Sequence, residues 1–303
     1  IGNSRTGTTI LHELLALDQQ LRAPLAWETL HPLPLREDKA ANPLPSRAQL
    51  GECEQDIWGN IVPEFNAVHE YSSYIPMECL TMMALEFTPG LCSTTGRLDE
   101  FMTWRSTTDP KPGYHMHRRF LQLLQFQQPQ KNGRDYRWLL KSPVHLMTMS
   151  TLFEEYPDAR VIHTHRDPVK TVASTLSTVS TTRYIRTENT DATGLTPNVA
   201  FGFQFALEAI YQQRQDGTIP NQQVADLHYS DFMQDAVAAI SSVYPQLGLE
   251  FGSELSNSMQ HYLDILSDRV AVTGGVGRQA GTTVKILGDG QLYFSGFELQ
   301  KID

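Results

Sequence analysis

The sequence contains 303 residues, of which 40% are hydrophobic and 19% are charged, and its formal net charge is −10. This is the composition of an ordinary globular protein, long enough for one large domain or two small ones with a substantial core. The acidic balance excludes broad, nonspecific binding to nucleic acid, because such binding requires a basic face. No apolar run approaches the ~20 residues of a membrane-spanning helix.

The predicted elements of the first half of the chain begin with a glycine-rich loop and a helix. Residues Thr8 to Leu17 carry isoleucine and leucines at helical spacing, which predicts a helix directly after the loop. A proline-rich stretch from Pro24 to Pro45 predicts an irregular excursion on the surface. Helix-like patches interrupted by prolines fill residues 47–124.

Strands and helices alternate in the second half of the chain. The pattern predicts three strands, each followed by a helix, at residues 137–141, 160–165 and 223–229. The helices are predicted to end at about Tyr156, Ser180 and Leu247. This alternation is typical of a parallel sheet that is covered by helices on both faces, which predicts an α/β fold.

We predict one domain over residues 1–269, followed by an atypical glycine-rich tail over residues 270–303 that does not continue the alternation. The chain begins with Ile1 rather than methionine, and no signal-peptide pattern follows. Almost no strand precedes the glycine-rich loop, so we expect that an N-terminal strand is missing. Three cysteines without metal-type spacing, Cys53, Cys79 and Cys92, fit a reducing, cytoplasmic location.

The opening loop, Gly2-Asn3-Ser4-Arg5-Thr6-Gly7-Thr8-Thr9, has the glycine spacing of a P-loop, but Thr8 stands where the Walker lysine is expected. Glycines allow a tight loop whose N–H groups converge on an anion, and the following helix adds the positive end of its dipole. Arg5 supplies a cation, and the hydroxyls of Thr6, Thr8 and Thr9 can donate hydrogen bonds. The loop therefore predicts an anion site that disfavours a nucleoside triphosphate. An incidental helix start rich in glycine and threonine is the alternative.

A second anion site is predicted where the 160–165 strand ends. Arg166 follows that strand, Asp167 is a plausible N-cap, and Pro168 suits the first helical position. Ser174 lies about two helical turns further on. Because ligands bind at the ends of parallel strands, a guanidinium and a hydroxyl here predict a phosphate site. Two anion sites imply a ligand that is phosphorylated at two ends; a capped helix with a surface serine is the alternative.

Four blocks of this sequence resemble the PAPS-dependent sulfotransferase superfamily, and in particular its broad, largely bacterial branch. The blocks are Arg5-Thr6-Gly7-Thr8-Thr9-Ile10-Leu11-His12-Glu13-Leu14-Leu15-Ala16-Leu17-Asp18, Leu140-Lys141-Ser142-Pro143-Val144-His145-Leu146, His165-Arg166-Asp167-Pro168 with Ser174, and His228-Tyr229-Ser230-Asp231-Phe232. The resemblance extends from residue 1 to about 266. It implies a P-loop-like three-layer sandwich with a central parallel sheet flanked by helices.

The resemblance also implies a donor and the residues that bind it. The donor would be PAPS (3′-phosphoadenosine 5′-phosphosulfate), and the product would be PAP. Residues Arg5, Thr6, Gly7, Thr8 and Thr9 would hold the 5′-phosphosulfate. Arg166 and Ser174 would hold the 3′-phosphate, and Tyr229 would lie near the adenine. The tail from Gly274 departs from the basic ending of family members, which leaves closure over the donor open.

Sulfuryl transfer proceeds by in-line displacement, so catalysis depends on positioning and on cations. Arg5 is the expected catalytic cation, and Lys141 is a second candidate, with a solvated lysine as its alternative. Three residues are candidates for the base. His69 comes first, since it precedes a Pro76-Met77-Glu78-Cys79 stretch similar to the family's acceptor-side region; Glu28 and His145 follow. Each of the three can equally be a structural residue.

No metal site is predicted. His163 with His165, and His115 with His117, each put two imidazoles on one face of an extended strand, but no third ligand has suitable spacing.

The acceptor is predicted to be a small or lipid-like molecule that carries a hydroxyl, or an amine. Aromatic side chains between Pro24 and Gly133 suggest a hydrophobic acceptor pocket, although such side chains are more often part of a core. Two alternatives to a sulfotransferase are a P-loop kinase or NTPase, which requires a Walker lysine and an acidic Mg²⁺ ligand, and a non-catalytic nucleotide-binding remnant.

Overall fold

The structure is a computed structural model that describes residues 1–34, 46–62, 72–87, 94–187, 190 and 192–272, with short strands at 285–286, 292–294 and 297–298. Among the described residues of the first half of the chain, the helices are α1 (Thr8–Ala16), α2 (Ala26–Leu30), α3 (Arg47–Ile61), α4 (Cys79–Met83), α5 (Asp99–Ser106) and α6 (Lys111–Gln127). They are followed by α7 (Val144–Met147), α8 (Met149–Glu155), α9 (Pro168–Tyr184), α10 (Ala192–Gln215), α11 (Tyr229–Gln234), α12 (Ala236–Leu247) and α13 (Ser253–Val272). The strands are β1 (Leu21–Arg22), β2 (Arg137–Trp138), β3 (Val161–His165), β4 (Val224–His228), β5 (Lys285–Ile286), β6 (Leu292–Phe294) and β7 (Phe297–Glu298).

The strands that carry the predicted anion sites pair in parallel. β3 and β4 pair over five residues, from Val161 opposite Val224 to His165 opposite His228. On β3 the backbone of Ile1 also pairs, because its N–H donates to the Ile162 carbonyl and its carbonyl accepts from the Thr164 N–H, both at 2.8 Å. β1 pairs with β2, also in parallel. The opening loop therefore starts beside the strand that ends at Arg166.

Two hydrophobic cores lie on opposite faces of the β3–β4 pair. One core takes Val161 and Val224 from the strands and packs them against α4, α6, α7, α8 and α10. The other takes Ala225 and Leu227 and packs them against α1, α11, α12 and α13. Alternate strand residues thus enter different cores, as expected of a strand that is buried on both faces. Parallel strands between two helical layers confirm the predicted α/β fold.

The boundaries differ from the predictions where local capping competes with a longer element. The helix predicted from Phe232 to Leu247 is divided at Asp235, whose carboxylate accepts from the Ala238 N–H at 2.9 Å and so caps α12. The predicted strand at 137–141 is shorter, since its ladder with β1 ends at Trp138, although the Leu139 N–H still donates to the Arg22 carbonyl.

The glycine-rich tail lies mostly outside the described residues. Its described parts are β5, β6 and β7, which form an antiparallel sheet. Helix α13 ends at Val272, just past the predicted boundary at 269, and the division into domain and tail stays a prediction. Across the described part of the chain, no helix combines the length and the apolar character that crossing a membrane requires.

Candidate functional site

The opening loop has the backbone geometry of an anion-binding turn. Arg5 and Gly7 both adopt positive φ angles, of 69° and 85°. Left-handed residues alternating with ordinary ones turn successive N–H groups toward one point, which forms a concave site for an anion. Gly7 is the N-cap of α1 and has no side chain to cap the helix, so the first-turn N–H groups remain available to a ligand.

A small residue is required at two points of this loop. A Cβ atom at Gly2 would lie 2.1 Å from Oγ1 of Thr164 on β3. A Cβ atom at Gly7 would lie 3.1 Å from the ring of Tyr229 on α11, in addition to the strain of its left-handed backbone. The two glycines therefore let the loop pass between β3 and α11 at van der Waals distance.

The two predicted anion sites meet in the structure. Nε of Arg5 donates to Oγ of Ser174 at 2.9 Å, so the loop cation reaches the second turn of α9. Nη1 of Arg166 donates to the backbone carbonyl of Arg5 at 2.6 Å. The Arg166 guanidinium also lies over the ring of Tyr229, with Cζ at 4.1 Å from the ring centre. Residues 5, 166, 174 and 229, far apart in sequence, thus form one cluster.

The helix that follows Arg166 begins as the sequence predicts. Asp167 is its N-cap and accepts from the Val169 N–H at 2.9 Å, with Pro168 in the first turn. This cap holds the strand end and the helix start in a defined turn. The capped turn therefore orients the Arg166 side chain toward the loop.

The electrostatics of the cluster favour an anion. Burial, together with the neighbouring Arg166 charge, lowers the pKa of Arg5 from its ordinary value. Nε of Arg166 is buried and has no hydrogen-bond partner among the described residues. A buried donor without a partner costs free energy that an anionic oxygen would recover. The residues present therefore fit a phosphate or a phosphosulfate group.

Lys141 connects the opening loop to the segment that precedes α4. Its Nζ lies 3.4 Å from Oγ1 of Thr9 and donates a short hydrogen bond to Oε1 of Glu78. The Lys141 carbonyl accepts from the Cys79 N–H at 2.9 Å, which joins the end of the β2 segment to the start of α4. The Lys141 side chain is 8% exposed and that of Glu78 is 20% exposed. A cation and a carboxylate thus stand together beside the phosphate loop.

Two of the three residues predicted as bases have other partners. The carboxylate of Glu28 is buried; it accepts from Nη2 of Arg22 at 2.7 Å and from the Leu25 N–H at 2.8 Å. His145 is also buried, its Nδ1 is 2.8 Å from the Tyr114 hydroxyl, and burial lowers its pKa well below the ordinary value. His69, the first candidate, lies outside the described residues.

The loop threonines differ in what their hydroxyls do. The Thr6 hydroxyl points inward, where it donates to the Asn3 carbonyl at 2.7 Å and lies 2.7 Å from the Thr164 hydroxyl. The Thr6 hydroxyl is therefore engaged with protein partners, and its prediction as an anion donor stays a prediction. The Thr9 side chain is exposed and in contact with Lys141, and Thr8 begins α1.

Glu78 is the residue of this site that sequence reasoning missed. It stands in the Pro76-Met77-Glu78-Cys79 stretch, which the resemblance places on the acceptor side without a role for its carboxylate. Backbone hydrogen bonds hold this stretch against the residues before α2, since the Met77 N–H donates to the Pro24 carbonyl at 2.8 Å. The only signal in the sequence that could have pointed to Glu78 was the position of its carboxylate directly before a helix.

Comparisons with known proteins show relatives of this chain. A sequence profile of the sulfotransferase family matches residues 1–253. The chain is 23% identical, over 290 aligned residues, to the omega-hydroxy-beta-dihydromenaquinone-9 sulfotransferase Stf3 of Mycobacterium tuberculosis and of Mycobacterium bovis. That match covers 87% of this chain and 66% of the relative, so the chain spans slightly less than two thirds of the relatives' length.

Two crystal structures have the same fold as this chain. One is the sulfotransferase STF1 from Mycobacterium tuberculosis H37Rv, with a TM-score of 0.71 and 27% identity, covering 86% of this chain and 69% of that protein. The other is STF9 from Mycobacterium avium, with a TM-score of 0.67 and 20% identity, covering 87% of this chain and 67% of that protein. Both likenesses confirm the predicted fold class.

The loop geometry predicts opposite effects of alanine at two glycines. Gly7→Ala should lower the free energy of unfolding by at least about 1–2 kcal/mol, the cost of a left-handed backbone for a residue with a Cβ. Gly202→Ala is the matched control, because a Cβ there meets no heavy atom within 4 Å in the middle of α10. It should raise stability by about 0.5–1 kcal/mol. Urea unfolding of both variants measures this; equal stabilities would contradict the loop geometry.

Proposed function

This chain belongs to the sulfotransferase family, and we propose that it transfers a sulfuryl group from PAPS to a hydroxyl of a hydrophobic acceptor. The observation that carries the proposal is the contact between the phosphate loop and the Arg166 cluster. Nε of Arg5 donates to Ser174, and Nη1 of Arg166 donates to the Arg5 carbonyl. Two groups that can bind anions therefore stand within the reach of one nucleotide.

The residues divide between the two anionic ends of the donor. Arg5, Gly7, Thr8 and Thr9, with the N–H groups at the start of α1, suit the 5′-phosphosulfate, because loop N–H groups and a helix N-terminus favour such anions. At the other end, Arg166 and Ser174 suit the 3′-phosphate. The buried Nε of Arg166 supports this division, since it has no protein partner among the described residues.

The adenine is proposed to lie near Tyr229. This side chain begins α11, directly after β4, and its ring packs against both the Arg166 guanidinium and the loop at Gly7. An aromatic ring at this point offers a flat apolar surface to a base. Its contact with Arg166 keeps the base end and the 3′-phosphate end close together.

Arg5 and Lys141 are proposed to stabilise the charge that moves during transfer. PAPS, when bound, supplies an activated sulfuryl group whose departure leaves negative charge on a phosphate oxygen. Arg5 lies in the loop and contacts Ser174, whereas Lys141 contacts Thr9 at the start of α1, so the two cations lie at different points along the loop. Fixed cations need no rearrangement as charge develops, which is the main catalytic device for such transfers.

Glu78 is proposed to accept the proton of the acceptor hydroxyl. Its carboxylate is partly exposed, and Lys141 occupies one of its oxygens. Glu28 is buried instead, with one oxygen paired to Arg22 and the other accepting from the Leu25 N–H. Lys141 links Glu78 directly to Thr9, so a hydroxyl bound next to Glu78 would be adjacent to the loop. His69, Glu28 and His145 stay alternative predictions for this role.

A hydrophobic acceptor is proposed from two observations. The Stf3 relatives are sulfotransferases of a hydroxylated dihydromenaquinone, as their name states. In this chain, the segment that follows Glu78 exposes large apolar side chains, among them Leu85 at 60% and Phe87 at 65%. Exposed apolar side chains favour contact with a hydrophobic acceptor over contact with a small polar sugar alcohol.

The kinase alternative is not favoured, since the loop carries Thr8 in place of the Walker lysine and the chain belongs to a sulfotransferase family. A nucleotide-binding remnant without catalysis is distinguished by assay. It would bind PAP and transfer nothing to any acceptor.

The donor assignment predicts separate effects of two substitutions on chemistry and on binding. Arg5→Ala should lower kcat by at least about 10²–10³-fold, the loss expected for one donor that stabilises developing charge. Ser174→Ala should weaken PAP binding at least about tenfold, because a hydrogen bond to a charged group is worth roughly 1.5–3 kcal/mol. Calorimetric PAP binding and transfer from radiolabelled PAPS to a hydrophobic alcohol are the measurements. Arg97→Ala and Ser258→Ala, on the exposed surface, are the controls and should change neither PAP affinity nor kcat. Full activity of Arg5→Ala would overturn the assignment.

The proposed base predicts an effect on turnover that spares donor binding. Glu78→Gln should lower kcat by about 10²–10⁴-fold, the usual contribution of a positioned base, with PAP affinity changed little. Glu28→Gln is the comparison: it should mainly lower stability, by about 3–5 kcal/mol, because it breaks a buried ion pair. Normal turnover in Glu78→Gln, with turnover lost in His69→Gln or His145→Gln, would assign the base to the histidine.

A further inference from the structure

Two histidines and an aspartate meet on the face of the β3–β4 pair that carries α10. His163 and His165 are two residues apart on β3, and their ring centres are 4.1 Å apart. Asp226 stands opposite His163 in the register of β4. Its Oδ1 is 2.8 Å from Nε2 of His165 and 3.8 Å from Nδ1 of His163. The ligand atoms that the three residues offer lie within 4.8 Å of one another.

The imidazole ring of His163 is buried, and its nitrogens make no hydrogen bond to the described residues. The exposed fraction of this residue is 3%. Buried nitrogens without partners carry a cost in free energy that a bound cation would remove.

The charged groups around the site include one that competes with a cation. Arg214, in the last turn of α10, donates to Asp226 from Nη1 at 2.7 Å and from Nη2 at 2.9 Å. Its Nε also donates to Asn221 at 2.8 Å, which gives the side chain a second anchor away from the carboxylate. Asp226 and His165 are partly exposed, at 38% and 31% of their side chains, so an ion can reach them from solvent.

We propose that His163, His165 and Asp226 bind a divalent transition-metal ion of the Zn²⁺ type, with Arg214 displaced from the Asp226 carboxylate. Two imidazoles and one carboxylate form a known zinc ligand set, and they leave a fourth position for water. Two nitrogen ligands favour such ions over Mg²⁺ and Ca²⁺, which prefer oxygen. Sequence spacing did not reveal this site, since Asp226 lies on a different strand from the histidines.

The site is independent of the sulfuryl-transfer assignment. It needs no donor and no acceptor, and its residues take no part in the contacts proposed for PAPS. A bound ion would tie β3 to β4 directly before Arg166, so it should raise the melting temperature by preferential binding to the folded chain.

The experiment titrates the full chain with Zn²⁺ by calorimetry and with Co²⁺ by visible absorption, and records Tm with and without Zn²⁺. The wild type should bind one ion per chain, with a rise in Tm and a Co²⁺ spectrum typical of nitrogen and oxygen ligands. His165→Gln and Asp226→Asn should each weaken Zn²⁺ binding by at least about tenfold. His115→Gln, an exposed histidine paired with Glu155, is the control and should bind normally.

Arg214→Gln gives the sharpest test, because it removes the competing cation while it retains all three ligands. It should tighten Zn²⁺ binding about tenfold, a change of about 1.4 kcal/mol. Weaker or unchanged binding in this variant would mean that Zn²⁺ does not use the Asp226 carboxylate, and the proposal would be overturned. Equal Zn²⁺ affinity of the wild type and His165→Gln, or a loss of binding in His115→Gln, would overturn it as well. If Asp226→Asn does not fold, His165→Gln carries the ligand test.

Discussion

Two hydrogen bonds join the opening loop to the strand–helix unit that contains Arg166. One runs from Arg5 to the Ser174 hydroxyl, and the other runs from Arg166 to the Arg5 carbonyl. They hold two guanidinium groups close together in a partly buried site, an arrangement that costs free energy without an anion. Three features hold the two arginines in position: the left-handed backbone at Arg5 and Gly7, the capped start of α9, and the Tyr229 ring beneath Arg166. A chain with a net charge of −10 thus concentrates two cations at one point, where the loop meets the end of β3.

In the proposed function, the fold separates donor binding from acceptor chemistry, and one lysine contacts both parts. The parallel strands end beside the loop, while Glu78 reaches the site from the segment before α4. Lys141 contacts both Thr9 and Glu78, so it is the point at which the two halves of the site meet. The buried Arg22–Glu28 pair and the Tyr114–His145 hydrogen bond support the surrounding core, which explains why polar residues near a family motif need not act on substrate.

The predictable parts of this protein were those determined by local sequence. The helix after the loop, β3 and the Asp167 cap follow from periodicity and capping residues, and the structure has them within a few residues of the predicted positions. Glu78 and Asp226 were not predictable in the same way, because their roles depend on partners 63 and 61 residues away in sequence, Lys141 and His165. The Thr6 hydroxyl illustrates the same limit, since Thr164 on another element draws it inward.

The most direct measurement of the central claim is a crystal structure of the chain with PAP. The account predicts that a single PAP molecule touches both ends of the cluster. Its 5′-phosphate should receive hydrogen bonds from the loop between Arg5 and Thr9, and its 3′-phosphate should receive them from Arg166 and Ser174. PAP that contacts one of these groups while the other keeps only its protein partners, or PAP bound elsewhere on the chain, would contradict the account.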